Sequence, residues 1–203
     1  MGEHQIIRSA VFLDRDGVLN RSIVRDGRPQ PPAELKEFVL YDDAVVGCKR
    51  LREAGFLLVV ISNQPDVGRG AQQRSTVEAI NKKLIKAIPW LDRIEVCFHA
   101  GKDYGESCDC RKPKPGMLLR AAAELGIDLA TSYVIGDRWR DVDCARAAGC
   151  YAIFINRDYN ESLRERPDVI VGTFGEAVTA VLEAAGESPL LQTSRSAYAR
   201  QRE

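Results

Sequence analysis

The chain has 203 residues, 45% apolar and 29% charged: enough apolar mass for one full core, but short of two complete domains. Lys+Arg and Asp+Glu both number 29, so no global field draws the chain to nucleic acid or an anionic membrane. With only His4 and His99 present, a Ser-His-Asp triad or a histidine pair is hard to build, and the chemistry must rest on carboxylates, cysteines and basic residues.

In chain order, Ala10-Val11-Phe12-Leu13 is a short apolar run that ends in acid, as a strand leaving a sheet would. Arg21–Glu37 is rich in proline and charge and reads as an excursion over the surface. Val45, Cys48 and Leu51 share one helix face, with Gly55 placed to stop that helix. The continuous run Phe56–Ile61 suits a strand buried on both faces. Ser75 or Thr76 is the expected cap of a helix carrying Val77, Ile80, Leu84 and Ile88, and Ile94–Phe98 reads as the next strand. Pro115 fits the first turn of a helix bearing Met117, Leu118, Ala121, Ala122 and Leu125 and closed by Gly126. Tyr133–Ile135 is a strand, Val142–Ala148 a helix ending at Gly149, and Tyr151–Ile155 a strand. Val169–Val171 and a helix over Glu176–Ala185 complete the series.

This alternation predicts an α/β fold: a doubly wound, Rossmann-like, mostly parallel sheet with helices on both faces, in one domain over residues 1–186, followed by a polar tail over 187–203. No apolar stretch nears the roughly 18 residues of a membrane span, and Met1–Arg8 has no signal-peptide core, so the expected location is cytoplasmic.

In such sheets ligands bind beyond the carboxyl ends of the strands. Three strands end suggestively: in Asp14 and Asp16, in Ser62-Asn63-Gln64, and in Gly136-Asp137. With Asp141, that edge gathers up to four carboxylates. Unit charges about 4 Å apart repel by about 4 kcal/mol at an effective dielectric of 20. The cluster therefore calls for a hard cation such as Mg²⁺. A carboxylate can attack phosphorus, and a second can move the leaving-group proton. Lys112, arriving just before a helix start, is placed to neutralise the transferring phosphoryl. Spacing alone leaves open which aspartate is nucleophile and which is acid.

The second cluster is Cys97-Phe98-His99 with Cys108-Asp109-Cys110, a C-x-H-x₈-C-x-C pattern. Cys₃His is a closed zinc set with no open position, which favours structural zinc over a disulfide or unconnected thiols. The loop over residues 97–110 would then be stapled and would fix Arg111 and Lys112. Cys48, Cys144 and Cys150 read as core packing. Trp90 and Trp139 can line a crevice or pack.

Phe12-Leu13-Asp14-Arg15-Asp16-Gly17-Val18-Leu19-Asn20 resembles the first motif of the haloacid dehalogenase superfamily of phosphohydrolases. Ser62, Lys112 and Gly136-Asp137 with Asp141 match its other three motifs in order, so the resemblance spans residues 9–156. It implies Asp14 as nucleophile, Asp16 as acid/base, Ser62 and Lys112 as phosphoryl holders, and Mg²⁺ on Asp14, Asp137 and the backbone carbonyl of Asp16. Within the superfamily, the zinc loop before Arg-Lys-Pro is similar to that of the heptose bisphosphate and the histidinol phosphatases. The run Cys108–Met117 and the Ser62-Asn63-Gln64…Arg69-Gly70 loop look most like the heptose group. Arg138 where that group tends to have Lys, and Pro65-Asp66 in place of Ser-Gly, depart from it.

The gap from Asn20 to Asp42 is too short for a separate cap domain, so loops must supply specificity. Asn20, Asn63, Gln64, Arg69 and Arg111 are the candidate substrate contacts, with Arg25 and Arg28 as further cations. The resemblance implies removal of the 7-phosphate from a heptose 1,7-bisphosphate, by an enzyme expected to be monomeric; histidinol phosphate or another small phosphomonoester is the alternative substrate. A nucleic-acid 3′-phosphatase lacks the clustered basic residues it needs, and a phospho-Asp receiver is disfavoured because Asp16 would shorten the life of its acyl phosphate.

Overall fold

The computed structural model of the chain describes residues 8–25, 27–105 and 107–187. The chain runs β1 (Ala10–Leu13), β2 (Ile23–Arg25), β3 (Arg28–Gln30), α1 (Ala44–Glu53), β4 (Leu57–Asn63), α2 (Pro65–Gly68), α3 (Arg74–Ala87) and β5 (Arg93–Cys97). It continues with α4 (Gly116–Leu125), β6 (Tyr133–Gly136), α5 (Trp139–Ala148), β7 (Tyr151–Ile155), β8 (Val169–Val171) and α6 (Phe174–Glu187). His4 and the tail beyond Glu187 lie outside the described residues.

Strand β1 explains the architecture. Its side chains alternate between two cores: Val11 and Leu13 join residues of α1, α3 and α6, while Ala10 and Phe12 join residues of α4 and α5. A strand covered on both faces must be apolar at every position, which is why its sequence shows no alternation. Phe12 is fully buried, and cutting such a ring back to alanine costs about 3–5 kcal/mol.

The main sheet has the order β5-β4-β1-β6-β7-β8, and every pair is parallel. The chain winds outward through β4 and β5 on one side of β1, then through β6, β7 and β8 on the other. The reversal opens a crevice at the carboxyl end of β1, the position where such sheets bind ligands. Asp14 sits there, its backbone N–H donating to Ile135 O at 2.9 Å across the β1–β6 seam.

The helix faces follow the apolar spacing: α1 buries Ala44, Gly47, Cys48 and Leu51, and α3 buries Val77, Ile80 and Leu84. Several boundaries differ from expectation. Helix α3 starts at Arg74 behind Gln73, not at Ser75 or Thr76, and Pro115 precedes α4 rather than sitting in its first turn. Helix α5 begins at Trp139, three residues before Val142, because its first turn faces the crevice and carries no apolar period. The Arg21–Glu37 excursion contains a hairpin of β2 and β3, paired through Val24↔Pro29. Strands of three mostly exposed residues leave no alternation to read. Trp90 packs against the core that Val11 faces.

Candidate active site

The loop after β1 turns back at once. Gly17 takes φ +94°, and a Cβ there would lie 1.7 Å from Asp137 Oδ2, so only glycine lets this turn pass beneath the acid from β6. The turn holds Asp16 in a clamp. Gln64 Nε2 donates to Asp16 Oδ2 at 2.7 Å, Asn20 Nδ2 to Oδ1 at 2.9 Å, and Arg15 Nη2 to Oδ2 at 2.9 Å. Arg15 is itself fully buried, and its Nη1 donates to Asn81 Oδ1 of α3 at 2.8 Å.

Beside the clamp lies the charged centre. Lys112 Nζ is 2.9 Å from Asp14 Oδ1 and 2.6 Å from Asp141 Oδ1, and it donates to Ile61 O at 2.9 Å. Burial opposes its charge, but Asp14 and Asp141 outweigh burial and hold the ammonium above the usual lysine range. Burial pushes Asp14 up from 3.8 to about 6; Lys112 pulls it back, while Asp141 and Asp16 add to the rise. Asp137 is raised well above its ordinary value, by burial first and then by the charges of Asp14 and Asp141.

One carboxylate oxygen of each of Asp14, Asp137 and Asp141 lies within 4.8 Å of the others, against the single ammonium of Lys112. Both oxygens of Asp137 are buried with no hydrogen-bond partner among the described residues. Orphaned carboxylate oxygens in such a cluster suit a hard divalent cation with oxygen ligands. Asp137 also borders a second cavity, of about 230 Å³, with Arg157 and Tyr159.

Ser62 is buried at the end of β4, and its Oγ accepts from Gln64 Nε2 at 2.8 Å. Asn63 and Lys112 exchange two hydrogen bonds, Asn63 Nδ2 to Lys112 O at 3.0 Å and Lys112 N to Asn63 Oδ1 at 3.1 Å. The expected substrate contacts Asn20, Asn63 and Gln64 therefore spend their amides on Asp16, Ser62 and the Lys112 backbone. Arg69 is tied to the loop after β5, with Nε donating to Ala100 O at 3.1 Å and its guanidinium over Tyr104. Arg111 Nη1 donates to His99 O at 3.3 Å in the same region.

The cleft over Asp14, Asp16 and Lys112 has a volume of about 70 Å³, and its wall is Pro29–Pro31 of the hairpin together with Arg138 and Arg140. Arg140 is absent from the sequence expectation. A cation between the two acids of the last motif, three residues after Asp137 and one before Asp141, carries no sequence signal of its own. Arg138 forms an ion pair with Glu161, and its backbone N–H donates to Asp141 Oδ2 at 3.0 Å, which caps α5.

The cysteine cluster adjoins the cleft. Cys97 ends β5 opposite Asn63 of β4, and Cys110 precedes Arg111 and Lys112. Cys97 Sγ lies 3.5 Å from His99 Nδ1 and 3.8 Å from Cys108 Sγ, and Cys110 Sγ lies 3.2 Å from His99 Nδ1. A tetrahedral ion with Zn–S of about 2.3 Å and Zn–N of about 2.0–2.1 Å has S···S edges of about 3.8 Å and S···N edges of about 3.6 Å. The four side chains can thus hold a metal with little movement, and none of their cysteines is in a disulfide. Burial leads in pushing the Cys97 thiol up, whereas at Cys108 burial is outweighed by hydrogen bonds, the first from the Arg111 backbone, and the thiol is lowered. Cys48, Cys144 and Cys150 are buried, and burial pushes each thiol up to about 12.

Comparison with known proteins fits this geometry. A HAD-hydrolase-like family model matches residues 109–177. The D-glycero-beta-D-manno-heptose-1,7-bisphosphate 7-phosphatase of Yersinia pestis is 40% identical over 147 residues, covering 68% of this chain and 75% of that protein. Its namesake from Escherichia coli K12 is 38% identical over 147 residues, covering 68% and 74%. The solved D,D-heptose 1,7-bisphosphate phosphatase of B. bronchiseptica, complexed with magnesium and phosphate, superposes with a TM-score of 0.73 at 28% identity, over 87% of this chain and 99% of that one.

Proposed function

The chain belongs to the haloacid dehalogenase-like phosphatases, within the family of the heptose-1,7-bisphosphate 7-phosphatases, and from that membership we propose that it removes the 7-phosphate from D-glycero-D-manno-heptose 1,7-bisphosphate through an aspartyl-phosphate. The observation that carries the mechanism is the pairing of Asp14 with Lys112 at 2.9 Å beside the orphaned carboxylate of Asp137.

Asp14 is the nucleophile. Its Oδ forms a bond to phosphorus as the bond from phosphorus to the sugar oxygen breaks, and Asp16 gives that oxygen its proton. Asp16, now anionic, takes a proton from water, whose oxygen attacks the acyl phosphate; inorganic phosphate leaves and Asp14 is regenerated. Lys112 and the Ser62 hydroxyl hold the phosphoryl oxygens. The clamp from Gln64, Asn20 and Arg15 keeps Asp16 at the leaving-group side of the cleft. Asp14, Asp137 and the Asp16 carbonyl would hold Mg²⁺, with Asp141 anchoring Lys112; the ion would supply positive charge against the negative charge spread over the phosphoryl. The Cys97, His99, Cys108 and Cys110 set would hold structural zinc, fixing the approach of Lys112.

The test is phosphate release with Mg²⁺ on heptose 1,7-bisphosphate and on histidinol phosphate, with Asp14→Asn as the blank. A preference of a hundredfold or more in kcat/KM for the heptose, about 2.7 kcal/mol, is expected. Weak, equal turnover of both would keep the phosphatase and remove the substrate.

A further inference from the structure

We propose that Arg140 reads the second anionic group of the substrate, the phosphate that does not react, and so sets the preference for a bisphosphate over a monophosphate. The inference rests on the reading of the Asp14 centre as a phosphatase site.

Arg140 and Arg138 both enter the cleft from the start of α5, but their circumstances differ. The Arg138 guanidinium is engaged by Glu161. Arg140 Nη2 reaches the same carboxylate only at 3.9 Å, beyond hydrogen-bond distance. Among the described residues it donates no hydrogen bond, and its other contact is the ring of Trp139, 5.2 Å from its Cζ. Its side chain is nevertheless only 29% exposed. A guanidinium carries five donors in a planar fork, so several are left without a partner in a partly dehydrated wall.

The charges around it leave its own uncompensated, because Arg138 and Arg111 offset Glu161 and Asp141. Of those two carboxylates, Glu161 already serves Arg138 and Asp141 serves Lys112. Burial first, then repulsion from Arg138, with Arg111 adding to it, pulls the Arg140 guanidinium below its ordinary range, against the attraction of Glu161 and Asp141. A site with unspent donors and excess positive charge is stabilised by an incoming anion, and the guanidinium fork matches two phosphate oxygens.

The cleft therefore holds two kinds of group: Asp14, Lys112 and the acids of the reacting centre, and Arg140 of α5 in the wall. A monophosphate bound at Asp14 leaves Arg140 as unpaired as it is now, while a bisphosphate satisfies it. Because the non-reacting phosphate changes little during the reaction, Arg140 acts on binding more than on the chemical step.

The experiment compares wild type, Arg140→Gln and Arg140→Lys on heptose 1,7-bisphosphate and on the corresponding heptose 7-phosphate. In Arg140→Gln the ratio of the two kcat/KM values is expected to fall about 10- to 100-fold, the range for one charged hydrogen-bonding group, mostly through KM for the bisphosphate. Arg140→Lys should recover part of that ratio. An equal fall on both substrates, or an unchanged ratio, would overturn the proposal. Binding is measured separately in the Asp14→Asn background by calorimetry, with and without Arg140→Gln. Loss of the bisphosphate advantage on adding Arg140→Gln is expected; equal affinity for both ligands with Arg140 intact would overturn it. If wild type hydrolyses neither substrate, the heptose phosphatase reading falls, and the binding comparison still decides the role of Arg140.

Discussion

Replacing Asp14 by Asn should remove turnover and at the same time stabilise the protein in Mg²⁺-free buffer near neutral pH. The buried carboxyl stands at about 6, against 3.8 when unperturbed. At about 1.4 kcal/mol per pH unit, ionising it in the folded chain costs about 3 kcal/mol at pH 7.5. The sign follows from proton binding: between those two values the folded chain holds a proton that the unfolded chain has lost, so stability falls as pH rises through the window. Asparagine escapes that penalty, which is already net of the attraction of Lys112, and Lys112 keeps Asp141 as partner. A net gain of about 1–3 kcal/mol is expected, or about 2–4 °C in Tm per kcal/mol for a chain of this size. Thermal unfolding at pH 7.5 and at pH 4, each without Mg²⁺, reads it. The gain should vanish at pH 4, where the wild-type carboxyl is protonated, and shrink when Mg²⁺ is added at pH 7.5. A variant no more stable than wild type at pH 7.5, or equally favoured at both pH values, would refute the reasoning.

Mg²⁺ binding should weaken by at least about tenfold per pH unit below about 6, since the ion must displace the proton on Asp14 and Asp137 is raised as well; calorimetry at pH 5 and 7 measures this, and a pH-independent Kd would contradict it. Gln64→Leu removes the 2.7 Å hydrogen bond that positions Asp16, and kcat should drop up to about 100-fold with little change in KM. Gly17→Ala places a Cβ 1.7 Å from Asp137 Oδ2, so Mg²⁺ affinity should fall at least about tenfold while the circular dichroism spectrum stays native. Cys110→Ser should leave less than one zinc per chain by metal analysis and cost about 3–5 kcal/mol, read as a lower Tm.

What the sequence carried was the chemistry at strand ends. Asp14, Ser62 and Asp137 can be placed because each follows an apolar run whose burial on both faces fixes where the strand stops. Lys112 and the gathering of Cys97, His99, Cys108 and Cys110 were legible through residue type and spacing. The hairpin of β2 and β3 was not, since its three-residue strands pair across the surface and bury little. Nor was the division of labour among the polar residues. Asn20, Asn63 and Gln64 have the chemistry of substrate contacts, yet their amides turn inward onto the machinery. Only the geometry separates an amide that touches a ligand from one that orients the group that does. Arg140 was missed for the opposite reason, because charged residues in a helix's first turn look like an ordinary solvated face.

The position of the cysteine cluster answers a question the cleft raises, namely how a lysine on a long loop comes to be almost wholly buried. Ordering a lysine side chain costs up to about 2 kcal/mol in rotamer freedom, before desolvation. Here the loop is held from two sides. On one, Asn63 grips the Lys112 backbone through its amide, and the Gln64 N–H donates to Cys97 O at 2.8 Å, tying the end of β4 to β5. On the other, Cys110 lies two residues before Lys112, and the Gly116 N–H reaches back to Asp109 O at 3.0 Å as α4 begins. Cys97 belongs to the first side and Cys110 to the second, so a metal bound by both closes the ring around Lys112. With the backbone fixed in this way, the ammonium need only find Asp14 and Asp141, and a metal on the cysteine loop would become part of how the cleft keeps its charge in place.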